Sequence, residues 1–262
     1  MDFIYDIYDV APWMTMVGIG AVFLVFNLLG YLIVGRLRDQ ILGVHHDLNT
    51  VLGNVMAFYS VLYGLLIGML AVVSYQGISA AQNTTESEAA ALSALYRDAS
   101  SYPEPKRTEL TALLKTYTRY VIDTDFPMQQ RGIVNLGGIP IIDEFQRKLI
   151  EFEPQTMGQQ VVHAEALRQF NNLTVQRRAR MTSISSGMPG VLWFTLLGGS
   201  LIWLFLMWLF EANRRSIVVL SSITAFAMGC MIGLIALMDN PFRGQLAGGA
   251  DSYTAAYDTL MH

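Results

Sequence analysis

Four apolar runs constrain this chain more than any other feature: Pro12–Val34, Val51–Tyr75, Met188–Phe210 and Ser216–Met238. None contains an Asp, Glu, Lys, Arg or His side chain. About 20 apolar residues of helix are enough to cross the hydrocarbon layer of a bilayer. Backbone in hydrocarbon must satisfy its own N–H and C=O groups, and runs this long without strand-like alternation do so as helices. Only 15% of the residues are charged, against roughly 25% in an ordinary soluble domain. The expected fold is therefore all-α: an integral membrane protein with four transmembrane helices and an extramembrane helical stalk or bundle between spans 2 and 3.

The chain divides accordingly into residues 1–75, 76–187, 188–238 and 239–262. The first segment holds an interfacial stretch and spans 1 and 2. The second is the extramembrane helical domain, the third holds spans 3 and 4, and the last is an extramembrane tail. The opening "MDFIYDIYDVAPW" carries Asp2, Asp6 and Asp9 where a signal peptide would be basic. It reads as interfacial, with Trp13 at headgroup level. The insert 76–187 carries twelve bases and twelve acids. With no net charge it offers no bulk attraction for nucleic acid. Its pattern is helical. Ile78, Ala81, Thr85, Ala89, Leu92 and Leu95–Tyr96 recur at three and four residues, continuing the second span as a stalk until Pro103 and Pro105. Further helices are expected with Leu110, Leu113, Leu114, Tyr117 and Val121 on one face, then over Ile141–Glu151, and finally over about Met157–Ser183.

The second span carries a distinctive pattern. On an ideal helix, at about 100° per residue, Gly53, Ala57, Ser60, Gly64, Gly68, Ala71 and Tyr75 fall within an arc of about 80°. A stripe of small residues lets another backbone approach closely. Gly229 and Gly233 repeat the GxxxG spacing in the fourth span. Packing within one subunit and packing between subunits both account for such stripes. Elsewhere on the second span Tyr59, Tyr63, Leu70 and Ser74 form a partly polar stripe. It can satisfy itself locally or line a wet pore.

Chemistry-bearing motifs are few. No phosphate-binding loop, dinucleotide fingerprint or HExxH occurs, and His45–His46, His163 and His262 have no ligand set around them. No enzyme activity, metal or cofactor is expected. Two straight antiparallel helices leaving the membrane near Tyr75 and Met188 would bring Glu86 and Glu88 level with Arg177, Arg178 and Arg180. Ion pairs are expected there. Asp239 ends the fourth span ahead of Pro241, where the helix dipole disfavours an acid. It needs compensation from Arg243, a stalk base, the following turn or a bound cation, and it is the candidate ion or mouth site.

Several stretches in order carry a family resemblance: "AFYSVLYGLLIGMLAVVSYQ" (57–76), "EAAALSALYRD" (88–98), "YTRYVIDTDFP" (117–127), "RRARMTSISSGMPGVLWFTLLGGS" (177–200) and "LMDNPFRG" (237–244). The chain resembles the bacterial bestrophin-like family of four-span membrane proteins. The resemblance implies a homo-oligomer in the bacterial cytoplasmic (inner) membrane, related by architecture to anion channels whose pore helices present apolar and aromatic rings to the ion path. The expected partners are further copies of itself, the lipid bilayer and inorganic ions. The expected function is an ion channel or pore. The alternative is a non-conducting structural or sensing protein whose helical domain binds a partner or envelope component. Arg36, Arg38, Arg214 and Arg215 lie in the two short loops. By the bias of short cytoplasmic loops toward Lys and Arg, both termini and the large helical domain are expected outside.

Overall fold

A computed structural model describes residues 10–41, 48–184, 187–210, 213–243 and 249–261, with backbone alone over 35–41 and at 48. Asp2, Asp6, Asp9, His45, His46 and His262, and the side chains of Arg36 and Arg38, lie outside the described residues. The described chain is helical, without strands. Its elements are α1 (Pro12–Ile41), α2 (Leu48–Ser100), α3 (Lys106–Tyr120), a π-helical turn (Val121–Asp125), α4 (Phe126–Gln130), α5 (Ile139–Ile150), α6 (Met157–Ser183), α7 (Gly190–Leu209), α8 (Arg214–Met238) and α9 (Asp251–Leu260). Four of them, α1, α2, α7 and α8, are long and apolar enough to cross a membrane.

The chain forms two compact units. The membrane unit holds α1, α2 up to Gln76, α7 and α8. Its helices are apolar almost all round, and residues such as Val22, Phe58, Leu65 and Phe194 face outward, where lipid rather than water is the solvent. Its tightest seam joins α1 to α8. A Cβ built on Gly229 would lie 2.8 Å from Gly20 Cα and 2.9 Å from the Ile19 carbonyl, and one on Gly233 would lie 3.1 Å from Met16 Cα. Only glycine permits that approach. A polar clasp adds to it: the Asn27 amide donates to Ser221 Oγ at 3.0 Å and accepts from Trp208 Nε1 at 3.0 Å. Asn27 is fully buried. It ties α1, α7 and α8 together where no water competes for the bonds.

The second unit holds α2 from Gly77, α3 to α6, Asn240–Arg243 and α9. Its core is Leu92, Leu95, Leu110, Leu114, Tyr117, Phe145, Leu149 and Leu173, joined by Phe242 and Tyr253. Pro103 and Pro105 end α2 as expected, and α6 begins where Thr156 Oγ1 accepts from the Gln159 N–H at 3.2 Å. Two features differ from the sequence reading. α3 widens into a π turn because Pro127 has no N–H for the Asp123 carbonyl four residues back and its ring would crowd that oxygen. The tail after residue 239 folds: Tyr253, Ala256 and Tyr257 share one face of α9, and Tyr253 enters the core.

Candidate functional site

In the membrane unit α2 is the least covered span. Met56, Tyr63 and Leu70, seven residues apart, are buried with Ser74. Tyr59 donates to the Gly199 carbonyl at 2.9 Å and Tyr63 to the Leu196 carbonyl at 2.7 Å, with their rings stacked 5.9 Å apart. Trp203 Nε1 donates to Ser60 Oγ at 3.1 Å. Long side chains therefore bridge α2 to α7 and leave an apolar groove of about 330 Å³ beside Tyr59, Tyr63, Gly198 and Gly199. Tyr59 and Tyr63 of the candidate pore-lining stripe thus face α7 of the same protomer. Most of the small stripe does not: Ser60 accepts from Trp203, but Ala57, Gly64 and Gly68 are exposed. A Cβ on Gly64 or Gly68 would meet nothing within 4 Å, and one on Gly53 would only graze Phe210 at 3.9 Å.

Asp239 is half-buried at the end of α8. Its Oδ1 accepts from the Met188 N–H at 2.5 Å and its Oδ2 from Trp193 Nε1 at 3.1 Å. The compensation comes from the approach to α7, a source the sequence reading did not name. A helix N-terminus favours negative charge.

The second unit buries a charged cluster. Arg180 and Glu88 are both fully buried and meet in two contacts, Nε–Oε2 at 2.5 Å and Nη2–Oε1 at 3.3 Å. Tyr117 donates to Glu88 Oε1 at 3.1 Å. Asp125, at the end of the π turn, is also fully buried and stands 3.6 Å from Arg180 Nη2. Phe126 and Tyr253 lie 5.3 and 6.0 Å from the guanidinium carbon. Burial works against the Arg180 charge, but Glu88 more than offsets it, and the guanidinium is held firmly protonated. Burial pushes the Asp125 carboxyl up, opposed by Arg180 and Arg177. Burial and the neighbouring Glu88 charge raise Tyr117 and Tyr253.

Four membrane-length helices and this helical insert set the frame for comparison with known proteins. The bestrophin-like domain matches residues 20–247. The chain belongs to the bestrophin-like family. A solved structure described as that of a membrane protein is similar in fold, with 11% identity, TM-score 0.67, and coverage of 94% of this chain and 99% of the other. No curated protein matches the sequence.

This bestrophin-like chain spreads its sequence-predicted residues over distinct surroundings. Glu88 and Arg180 meet, whereas Glu86 is exposed and lines a shallow groove with Ser252, Ala255 and Thr259 of α9. Arg178 is exposed, and Arg177 sits half-buried with its Nη2 3.4 Å from where a Cβ on Gly138 would lie. No group of three potential metal-binding side chains occurs among the described residues. Sequence reasoning missed Asn27, Asp125, Gln129, Trp193 and Tyr253. A lone Asn in an apolar run was the available signal for the first. Pro127, just past Asp125, was a weaker one.

Proposed function

We propose that this bestrophin-like protein is a homo-oligomeric ion channel or pore, without enzyme activity or cofactor, whose subunits meet through the small-residue face of α2. One observation carries the reading. Across the membrane unit α2 is covered along a single seam, yet Ala57, Gly64 and Gly68 lie open. Glycine in a helix interior costs about 1 kcal/mol relative to alanine, and a face that met only lipid would gain nothing from it. A second helix approaching closely would. The tyrosine stripe, engaged with α7 carbonyls, supports the helix from behind.

The bacterial cytoplasmic membrane is the proposed location, with the short loops at Arg36, Arg38, Arg214 and Arg215 inside and the termini and helical unit outside. Cysteines at Thr111 or Asn213 in a Cys230→Ala background, probed with an impermeant thiol reagent on intact cells, test this. Labelling at Asn213 alone reverses the orientation. Conduction is tested in planar bilayers by reversal potentials across a salt gradient. Verified oligomers that pass no current leave the structural or sensing role in its place.

A further inference from the structure

The loop that follows α4 is tied down by hydrogen bonds, yet it turns apolar side chains outward. Gly132, at φ +72°, closes α4: its N–H donates to the Gln129 carbonyl at 2.7 Å, and the Ile133 N–H donates to the Met128 carbonyl at 3.0 Å. In this Schellman arrangement the side chains at the Met128 and Ile133 positions commonly meet. Beyond it Asn135 is held inward. Its amide donates to the Tyr120 hydroxyl at 2.5 Å, and its Oδ1 accepts from the Gly137 N–H at 3.0 Å. Neighbours along extended chain point to opposite sides, so Val134 and Leu136 turn away from Tyr120. Met128, Ile133, Val134 and Leu136 are between 38% and 61% exposed. Among the described residues of the second unit, no other stretch of that length exposes more than two large apolar side chains.

Such a patch marks a contact surface, and its tether indicates with what. The Arg243 guanidinium occupies the space where a Cβ on Gly132 would sit. The Arg243 N–H closes a turn onto the Asn240 carbonyl at 3.1 Å, which holds the two Cα atoms within about 7 Å. Asn240 is two residues past Met238, the last residue of the span α8. Chain and side-chain lengths alone then keep the loop within about 20 Å of the end of that span, so the bilayer surface is within its reach. The charge fits as well. Between Asp125 and Asp143 the only ionisable side chain is Arg131, which is exposed, so lipid phosphates meet no acid there. We propose that the 128–136 loop is a further membrane contact of this protein. Ile133, Val134 and Leu136 enter the headgroup layer of the leaflet at which α8 ends, with Arg131 at phosphate level. That layer is about 5–7 Å deep on each face of a bilayer, the depth of a single row of such side chains. The occupant is the surface of the bilayer that the four spans cross, and the contact is independent of whether the protein conducts.

The test uses the full chain, with Cys230→Ala, in lipid nanodiscs. Val134→Cys and Leu136→Cys carry a nitroxide at the loop, and Met157→Cys carries one at the start of α6, where the native side chain is 76% exposed. Collisions with dissolved oxygen report lipid, and collisions with a water-soluble nickel chelate report water. The oxygen-to-nickel accessibility ratio at 134 and 136 should be several-fold higher than at 157. A ratio at the loop equal to that at 157 overturns the proposal. A second copy of the chain on this face would instead exclude both reagents and broaden the spectra by spin–spin contact, and dilution with unlabelled protein would sharpen them. That outcome overturns it too. Spectra that ignore dilution, together with the raised ratio, support the lipid contact.

Discussion

Gly64–Gly68 of α2 and Gly229–Gly233 of α8 share one spacing and one kind of apolar neighbourhood, yet only the second pair is filled. Gly229 and Gly233 are buried under α1, at distances where a side chain would strike backbone. Gly64 and Gly68 look out on open space. A GxxxG pattern thus announces close approach without saying whose helix approaches. α2 repeats the contrast along its own length. In the second unit its small residues Ala81, Ala89, Ala91 and Ala99 are buried in the core, whereas in the membrane unit Ala57 is exposed.

The strongest way to break the comparison is to substitute both kinds of glycine alike. Gly229→Leu should cost more than about 4 kcal/mol, because backbone atoms of α1 cannot yield, and should leave no folded membrane unit. All four Trp residues (13, 193, 203 and 208) belong to that unit, so tryptophan emission reports its loss selectively. Gly68→Leu should leave the same emission and thermal midpoint unchanged while shifting the species in native electrophoresis from oligomer to protomer. Ile67→Leu is the matched control. An oligomer that survives Gly68→Leu would end the proposal that this face is the subunit contact.

The buried half of α2 is sharpened by Arg180→Met, which leaves Glu88 and Asp125 without their shared cation. Breaking a buried pair from one side costs about 3–5 kcal/mol, read here as loss of helical signal by circular dichroism on heating. Adding Glu88→Gln should recover part of it, since one unpaired charge is then gone. A double variant no more stable than Arg180→Met would show that packing around the guanidinium, not its charge, carries the effect. Within the membrane, Asn27→Leu removes the clasp to Ser221 and Trp208. Its expected cost is smaller, about 0.6–2 kcal/mol, with a shift in tryptophan emission because Trp208 loses its partner.

The sequence made the helices legible because periodicity and proline survive into structure unchanged. α6 spans Met157–Ser183, as expected, and α2 runs unbroken until the Pro103–Pro105 pair. Counting residues from the membrane put both Glu86 and Glu88 level with the arginines; Glu88 meets Arg180, whereas Glu86 is exposed. The partner within the Arg177–Arg180 stretch turned on helical phase: Arg180 meets Glu88, while Arg177 is half-buried and Arg178 exposed. What sequence could not give was contact between distant segments. Nothing local to Asp239 names Met188 or Trp193, and nothing local to Tyr253 says that a tail helix reaches the buried cluster. Asp125 was hidden for another reason. An acid in a polar helix reads as solvated, although Asp125 follows Tyr117 and Val121 on one helix face, and only the fold shows how completely that face is covered.

The smallest expected effect decides which side of α2 an ion would meet. Tyr63→Phe removes one hydroxyl from the Leu196 carbonyl, an oxygen for which α7's own backbone bonding remains available. The cost should be about 0.6 kcal/mol, the average for a membrane hydrogen bond, barely visible in a thermal scan. Its effect on current is the informative part. Tyr63 is 5% exposed and its hydroxyl is bonded to α7 of the same protomer, so an ion path outside the α2–α7 seam would not meet it. Reversal potential and unit conductance in Tyr63→Phe should then match the wild type. A change of selectivity in Tyr63→Phe would place the ion path between α2 and α7.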